Sequence, residues 1–326
     1  MNPAESPGAV GPDLSVTIAG VLFKNPVIAA SGTFGYGREY RGIIDVSRLG
    51  GICTKGLTLR PRRGNGGTRL HETPSGLLNS IGLENPGIPV FIEEELPALR
   101  ELGPVVIANL SGSDLDEYAR GAELLAASAI DMIELNISCP NVKAGGMAFG
   151  LDPESAAAVT GRVRRAAENK ALLVKLSPNA PDLVGVARSC IHAGADGFSL
   201  VNTFKAMAID IYGGKPVFDN VSAGLSGPAI RPIALRMVWE LWEALSAPGT
   251  PPAPPVPIIG MGGIARAEDA LEFLMAGAAA VEVGSATFAH PPAMIEIIEG
   301  IRLYMEKQGL GKLAGLNIRG QVRENR

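Results

Sequence analysis

Short apolar runs alternate along the chain with segments of helix length. The runs at 26–30, 51–54, 105–109, 132–136, 172–175, 198–201, 257–261 and 280–284 are continuously rather than alternately hydrophobic. Each ends in a polar or glycine-containing loop. Continuous apolar character marks strands covered on both faces, as in a parallel sheet. Helical spacing is predicted over 153–169, with Asp152 as N-cap, over 230–245, where Pro232 is tolerated in the first turn, and over 267–275. Eight strand-then-helix units predict an α/β fold, a (β/α)8 TIM barrel. A doubly wound sheet is the alternative, disfavoured because the first unit has no Gly-rich turn. Residues 15–25 read as a short hairpin that closes the barrel floor. The stretch 56–103 exceeds an ordinary loop and is expected to cover the active site. The chain is therefore divided into a tail at 1–13, one barrel at 14–310 and a second tail at 311–326. The Pro-rich 247–257 is a stiff connection within the barrel.

Composition narrows the function classes. A length of 326 residues would suggest two domains at about 150 residues each, but α/β barrels use as many in one. With 46% hydrophobic and 19% charged residues the chain can fill a large core, which excludes disorder. The net charge of −4, with no basic run, argues against a nucleic-acid partner. Three cysteines (Cys53, Cys139 and Cys190) form neither a disulfide framework nor a paired metal motif, and three histidines are too few for a His-rich metal site, so no metal is expected. A reducing, cytoplasmic setting fits that cysteine usage. The first residues lack a basic start and an apolar stretch, and no segment supplies the ~20 apolar residues of a spanning helix.

Barrel enzymes place their chemistry at the C-terminal ends of the strands. Those ends carry Ser31, Lys55, Asn109, Asn136 with Cys139, Lys175, Asn202 and Thr203, Gly262 and Gly263, and Gly284 and Ser285. Asn and Lys are poor strand formers, so their recurrence there points to a polar ligand site. GMGGIA at 260–265 and GSA at 284–286 follow the seventh and eighth strands, where barrels grip phosphate with backbone N–H groups and a helix dipole. The first also matches a short dinucleotide fingerprint, with Glu282 at the spacing of a ribose-binding acid. Its late position and the paired Gly-Ser loop favour one phosphate, as in a mononucleotide flavin. Cys139 sits in NISCPN, in a loop just before Pro140, where a thiol can be tuned into a general base. Nucleophilic catalysis is the rival role, but no histidine lies nearby in sequence. Cys53 and Cys190 read as buried packing residues. Lys175 is a candidate Schiff-base residue or a counter-charge for the electron-rich end of a flavin, and Lys55 could serve either role. NSIGLENPG at 79–87 mixes amides with close-approach glycines, suited to a flat, amide-rich ring.

Together these segments resemble the dihydroorotate dehydrogenases, in particular the catalytic subunits of class 1B. The resemblance runs from about Ser15 to Gln308 and rests on ASGTFGYG, TKGLTLRPRRGN, NSIGLENPG, NISCPNVKAGGMAFG, VKLSPN, VNTF, GLSGPAIRP and GMGGI. It implies a barrel with FMN at the strand C-termini and Cys139 as catalytic base. It further implies flavin contacts from Ser31, Lys55, Gly56, Asn109, Asn136, Lys175, Val201, Gly227, Gly262, Gly263, Gly284 and Ser285. Substrate contacts are implied for Lys55, Asn79, Ser80, Ile81, Gly82, Leu83, Asn136, Asn202 and Thr203. The implied reaction is oxidation of dihydroorotate to orotate in pyrimidine biosynthesis, with electrons passed to NAD+. The implied partner is an electron-transfer subunit carrying FAD and a 2Fe–2S cluster, around a homodimeric core in a heterotetramer. Three alternatives stay open: a dihydropyrimidine dehydrogenase-like FMN enzyme, a class 1A homodimer that uses fumarate, and a non-catalytic flavin- or phosphate-binding barrel.

Overall fold

A computed structural model describes residues 11–138, 149–247, 249, 252 and 256–316. The strands, in chain order, begin with β1 (Val16–Ile18), β2 (Val21–Phe23), β3 (Val27–Ala29) and β4 (Gly51–Cys53). There follow β5 (Leu70–Thr73), β6 (Gly76–Asn79), β7 (Val105–Leu110), β8 (Met132–Asn136) and β9 (Ala171–Lys175). The remainder are β10 (Gly197–Leu200), β11 (Phe204–Ala206), β12 (Ile209–Asp210), β13 (Lys215–Pro216), β14 (Ala223–Ser226), β15 (Ile258–Met261) and β16 (Ala280–Val283).

Eight of these close a parallel barrel in the order β3, β4, β7, β8, β9, β10, β15, β16, which is the (β/α)8 fold expected. Because side chains alternate across a strand, each barrel strand feeds two cores. Outward residues such as Val106, Ala108, Ile133, Leu135, Leu172 and Val174 pack in the large cluster beneath the helices. Inward residues Ile28, Cys53, Ile107, Met132, Leu173, Ile259 and Ala280 form a separate apolar layer across the barrel floor. Both faces being buried is the physical reason the strands read as continuous hydrophobic runs.

The floor is sealed as the sequence predicted. β1 and β2 pair antiparallel, and Ile18 and Phe23, both fully buried, join the inward floor layer. The helices also follow their local signals. Asp152 caps Pro153–Ala166 by accepting from the Ser155 backbone N–H at 2.8 Å. Ala267–Met275 has the expected bounds, and Arg231–Leu245 carries Pro232 in its first turn after a short 3-10 turn at Pro228–Ile230.

Two features lay outside the sequence reading. The stretch 56–103 is no bare loop: β5 and β6 pair with each other and, through β14, with β11, giving a four-stranded antiparallel sheet. Half of that sheet comes from the segment after the sixth barrel strand. At the C-terminus packing runs past residue 310. The Asp13 backbone N–H donates to the Gly311 carbonyl at 3.0 Å, and Leu316 is buried in the main core, so the expected boundary at 310 lies inside the packed body. Much of the Pro-rich 247–257 lies outside the described residues. No helix among the described residues is long and apolar enough to cross a membrane.

Candidate active site

The C-terminal ends of the barrel strands open into a cavity of ≈ 340 Å³. Its wall contains Ser31, Lys55, Gly56, Asn136, Lys175, Val201, Gly227, Gly262, Gly263, Gly284 and Ser285, the positions the sequence nominated around a flavin. Asn79, Ile81, Gly82, Leu83, Asn202 and Thr203, nominated for substrate, line the same space. Two nominees lie behind the wall. Asn109 is fully buried and engaged below, donating to Glu134 at 2.5 Å and accepting from Asn136 at 3.1 Å. The Ser80 hydroxyl accepts from Asn65 and Asn220 at 3.0 and 3.3 Å, partners in the loops flanking the four-stranded antiparallel sheet, hereafter the cover sheet, and not in the cavity wall. Cys139 lies outside the described residues. Cys53 and Cys190 are buried free thiols, as their core readings required.

Local geometry explains how these segments converge. In the loop after β6, Gly82 and Leu83 both have positive φ, 78° and 58°. A Cβ on Gly82 would meet Asn65 Oδ1 at 2.4 Å, so only glycine lets this turn close and carry Leu83 to the cavity. Leu83 holds a backbone conformation that costs a non-glycine residue free energy, a feature that clusters at binding sites. At the opposite side, a Cβ on Gly284 would meet nothing nearer than 3.6 Å. Packing within the chain does not require glycine there; the open space belongs to the cavity.

Below the cavity the barrel interior changes character. Above the apolar floor, the inward positions of four neighbouring strands, β7 to β10, hold Asn109, Glu134, Lys175 and Ser199, and β16, beyond β15, holds Glu282, every one of them buried. Lys175 Nζ lies 3.3 Å from Glu134 Oε1 and 3.8 Å from Glu282 Oε2. Glu134 also accepts from Ser199 Oγ at 2.5 Å and from Cys53 Sγ at 3.2 Å. Burial alone would raise the Glu134 carboxyl, but the Lys175 ammonium and these donors hold it below the usual carboxylate range. Burial acts to lower Lys175, yet the two glutamates raise it, so the ammonium stays charged. Burial, then the charge of Glu134, pushes Glu282 well above the usual range. The Cys53 thiol is pushed well up by burial and by both glutamates. Hydrogen bonds climb from this layer to the cavity: Asn136 donates to Asn109, Ser138 donates to Asn136, and Asn202 donates to Ser138 at 2.8 Å.

The sequence model described as dihydroorotate dehydrogenase matches residues 13–305. The chain belongs to the dihydroorotate dehydrogenase family. Similar relatives include a Petrotoga mobilis protein, 57% identical over 310 residues, which are 95% of this chain and 99% of the relative. A Geotalea daltonii protein is 51% identical over 306 residues, 94% of this chain and 97% of its own. One from Caldicellulosiruptor saccharolyticus is 49% identical over 304 residues, 93% and 98% of the two chains. Each is named dihydroorotate dehydrogenase B (NAD(+)), catalytic subunit.

For this dihydroorotate dehydrogenase family member, sequence reasoning missed Glu134 and Ser199, and it noted Glu282 only for its spacing within a dinucleotide-like match that it set aside for a single phosphate; the structure places Glu282 at the base of the cavity wall beside Lys175. A signal was present in MIELN, where a carboxylate interrupts an otherwise buried strand and cannot be buried without a partner. The FMN that the resemblance implies fits the observed donor set: glycine-lined backbone at one side of the cavity, amides and a fixed ammonium at the other.

Proposed function

We propose that this chain is the catalytic subunit of an NAD-linked dihydroorotate dehydrogenase, oxidising dihydroorotate to orotate in pyrimidine biosynthesis. The observation that carries the reading is the convergence of Lys55, Asn136 and Lys175 with the 79–83 loop and the Gly262 to Ser285 side in one cavity, in a chain of this family. FMN would be held with its phosphate near Gly262, Gly263, Gly284 and Ser285 and its ring near Lys55, Asn136 and Lys175. When bound it supplies the two-electron acceptor.

The chain's own residues do the rest. Asn79, Asn136 and Asn202 align the amide edges of dihydroorotate by hydrogen bonds, an orientation effect. Cys139 removes the C5 proton as general base. The Lys175 ammonium, fixed by Glu134, stabilises negative charge that builds on the cavity side. Leu70 and Leu77 of the cover sheet line the cavity as apolar wall against which the bound rings would pack. Anaerobic titration of the purified, flavin-loaded chain with dihydroorotate tests this: bleaching of the flavin band with release of one orotate per flavin is expected. A chain that binds FMN but is bleached by dihydrouracil and not by dihydroorotate would overturn the substrate.

A further inference from the structure

The polar layer beneath the cavity holds two carboxyl groups and one ammonium. Glu134 satisfies its oxygens with Asn109, Ser199, Cys53 and Lys175. Glu282 differs. It is 1% exposed, and neither carboxyl oxygen has a hydrogen-bond partner among the described residues. Its nearest cation is the Lys175 ammonium at 3.8 Å, already closer to Glu134. The Cys53 sulfur and a carboxyl oxygen each of Glu134 and Glu282 all lie within 4.8 Å of one another. The groups beside Glu282 are Cys53 on β4, Glu134 on β8 and Lys175 on β9, while Asn109 on β7 and Ser199 on β10 join the layer through their hydrogen bonds to Glu134. Only Cys53, Glu134 and Lys175 among these titrate, and burial keeps the Cys53 thiol neutral.

Charge counting then decides the protonation. With both carboxyls ionised, the layer would carry one net negative charge almost wholly shielded from water, directly under a site that must accept negative charge. One proton makes the layer neutral. Donors to a carboxylate favour its ionised form, and Glu134 has four within hydrogen-bond distance while Glu282 has only the Lys175 ammonium, farther off at 3.8 Å. We propose that Glu282 holds a proton at neutral pH and acts as a positioning residue, leaving the Lys175 ammonium paired with Glu134 alone and its charge available to the cavity. The proton follows from the layer itself; its use to a flavin rests on the function proposed above.

Infrared spectroscopy of the flavin-loaded chain at pH 8 tests this. Glutamates with ordinary pKa values of ~4.3 are ionised there. A protonated carboxyl C=O stretch that shifts on carbon-13 labelling of glutamate and disappears in Glu282→Gln is expected. Wild-type protein without the band overturns the proposal whether or not the variant folds; a band that persists in Glu282→Gln overturns its assignment. Stability gives a second readout. A folded carboxyl that holds its proton more tightly than the unfolded one contributes stability complete below the unfolded pKa and lost as pH rises towards the folded value. From pH 5.5 to 8, the folding constant of Glu282→Gln relative to wild type should therefore rise about tenfold per pH unit in urea titrations. A flat or falling ratio overturns the proposal. Both measurements can be repeated on flavin-free chain, so failure to bind FMN would refute the proposed function without touching the proton.

Discussion

Lys175 and Glu134 form a buried ion pair whose partners are 5% and 0% exposed, so neither charge can fall back on water if the other is removed. Breaking such a pair leaves an uncompensated buried charge and costs about 3–5 kcal/mol. Lys175→Met should lose stability of that order in urea unfolding and bind FMN more weakly. Adding Glu134→Gln should recover part of the stability, because the stranded carboxylate is gone, without recovering flavin affinity. A double variant no more stable than Lys175→Met would place the cost elsewhere than in the ion pair. The proposed base is tested separately: Cys139→Ser should retain FMN yet reduce it with dihydroorotate about 10²–10⁴-fold more slowly. The wild-type rate should rise with pH through the thiol's range; the same rate and profile in the variant would remove Cys139 from that role. Lys175 and Asn136 were legible in the sequence because they end strands, where polarity stands out. Glu134 left a mark, a carboxylate within a buried strand, but neither it nor Ser199 could be assigned to the site, because in a strand buried on both faces nothing local separates the inward side from the outward one.

At the level of elements, the cover sheet has its own small core, in which Leu78, Phe218 and Ala223 are buried apart from the barrel clusters. Deleting a buried Phe side chain costs about 3–5 kcal/mol where it packs. That cost should fall on the sheet rather than the barrel. Phe218→Ala is expected to raise the KM for dihydroorotate and speed amide exchange in β6 and β14, while global urea unfolding shifts little. Unchanged exchange in those strands would deny the sheet a role as an independent cover. The sequence located this region by its excess length between strands two and three, and its wall residues Leu70, Leu77 and Asn79 do reach the cavity. It did not reveal the sheet. Pairing between β6 and β14 joins Asn79 to Gly224 across the chain, and strands of four residues carry too little pattern to announce a distant partner. The barrel strands were readable for the opposite reason: burial on both faces writes a continuous apolar run, and helix-length segments separate most of those runs from one another.

On the scale of the whole molecule, the question is where electrons leave. The full sequence has three cysteines, and the two within the described residues are buried, one on β4 and one in the helix Leu183–His192. Burial pushes Cys190 up to about 11 and Cys53 well above its usual value, so neither thiol is disposed to ligate iron. An iron–sulfur cluster normally takes four cysteines, more than this chain possesses. The dinucleotide-like GMGGIA does not supply a separate NAD site either, because Gly262, Gly263, Ile264 and Ala265 line the same cavity as Lys175 and Ser285. One cavity would therefore serve FMN and dihydroorotate, and it takes up the glycine motif that resembled a nicotinamide-dinucleotide fingerprint. We propose that electrons pass to NAD+ through a second subunit carrying FAD and a 2Fe–2S cluster. The isolated chain should then be bleached by dihydroorotate but turn over NAD+ only after that subunit is added, and it should use fumarate poorly. Efficient turnover by the single chain with NAD+ would sink the two-subunit scheme. Efficient turnover with fumarate would assign the chain to the homodimeric, fumarate-linked type instead.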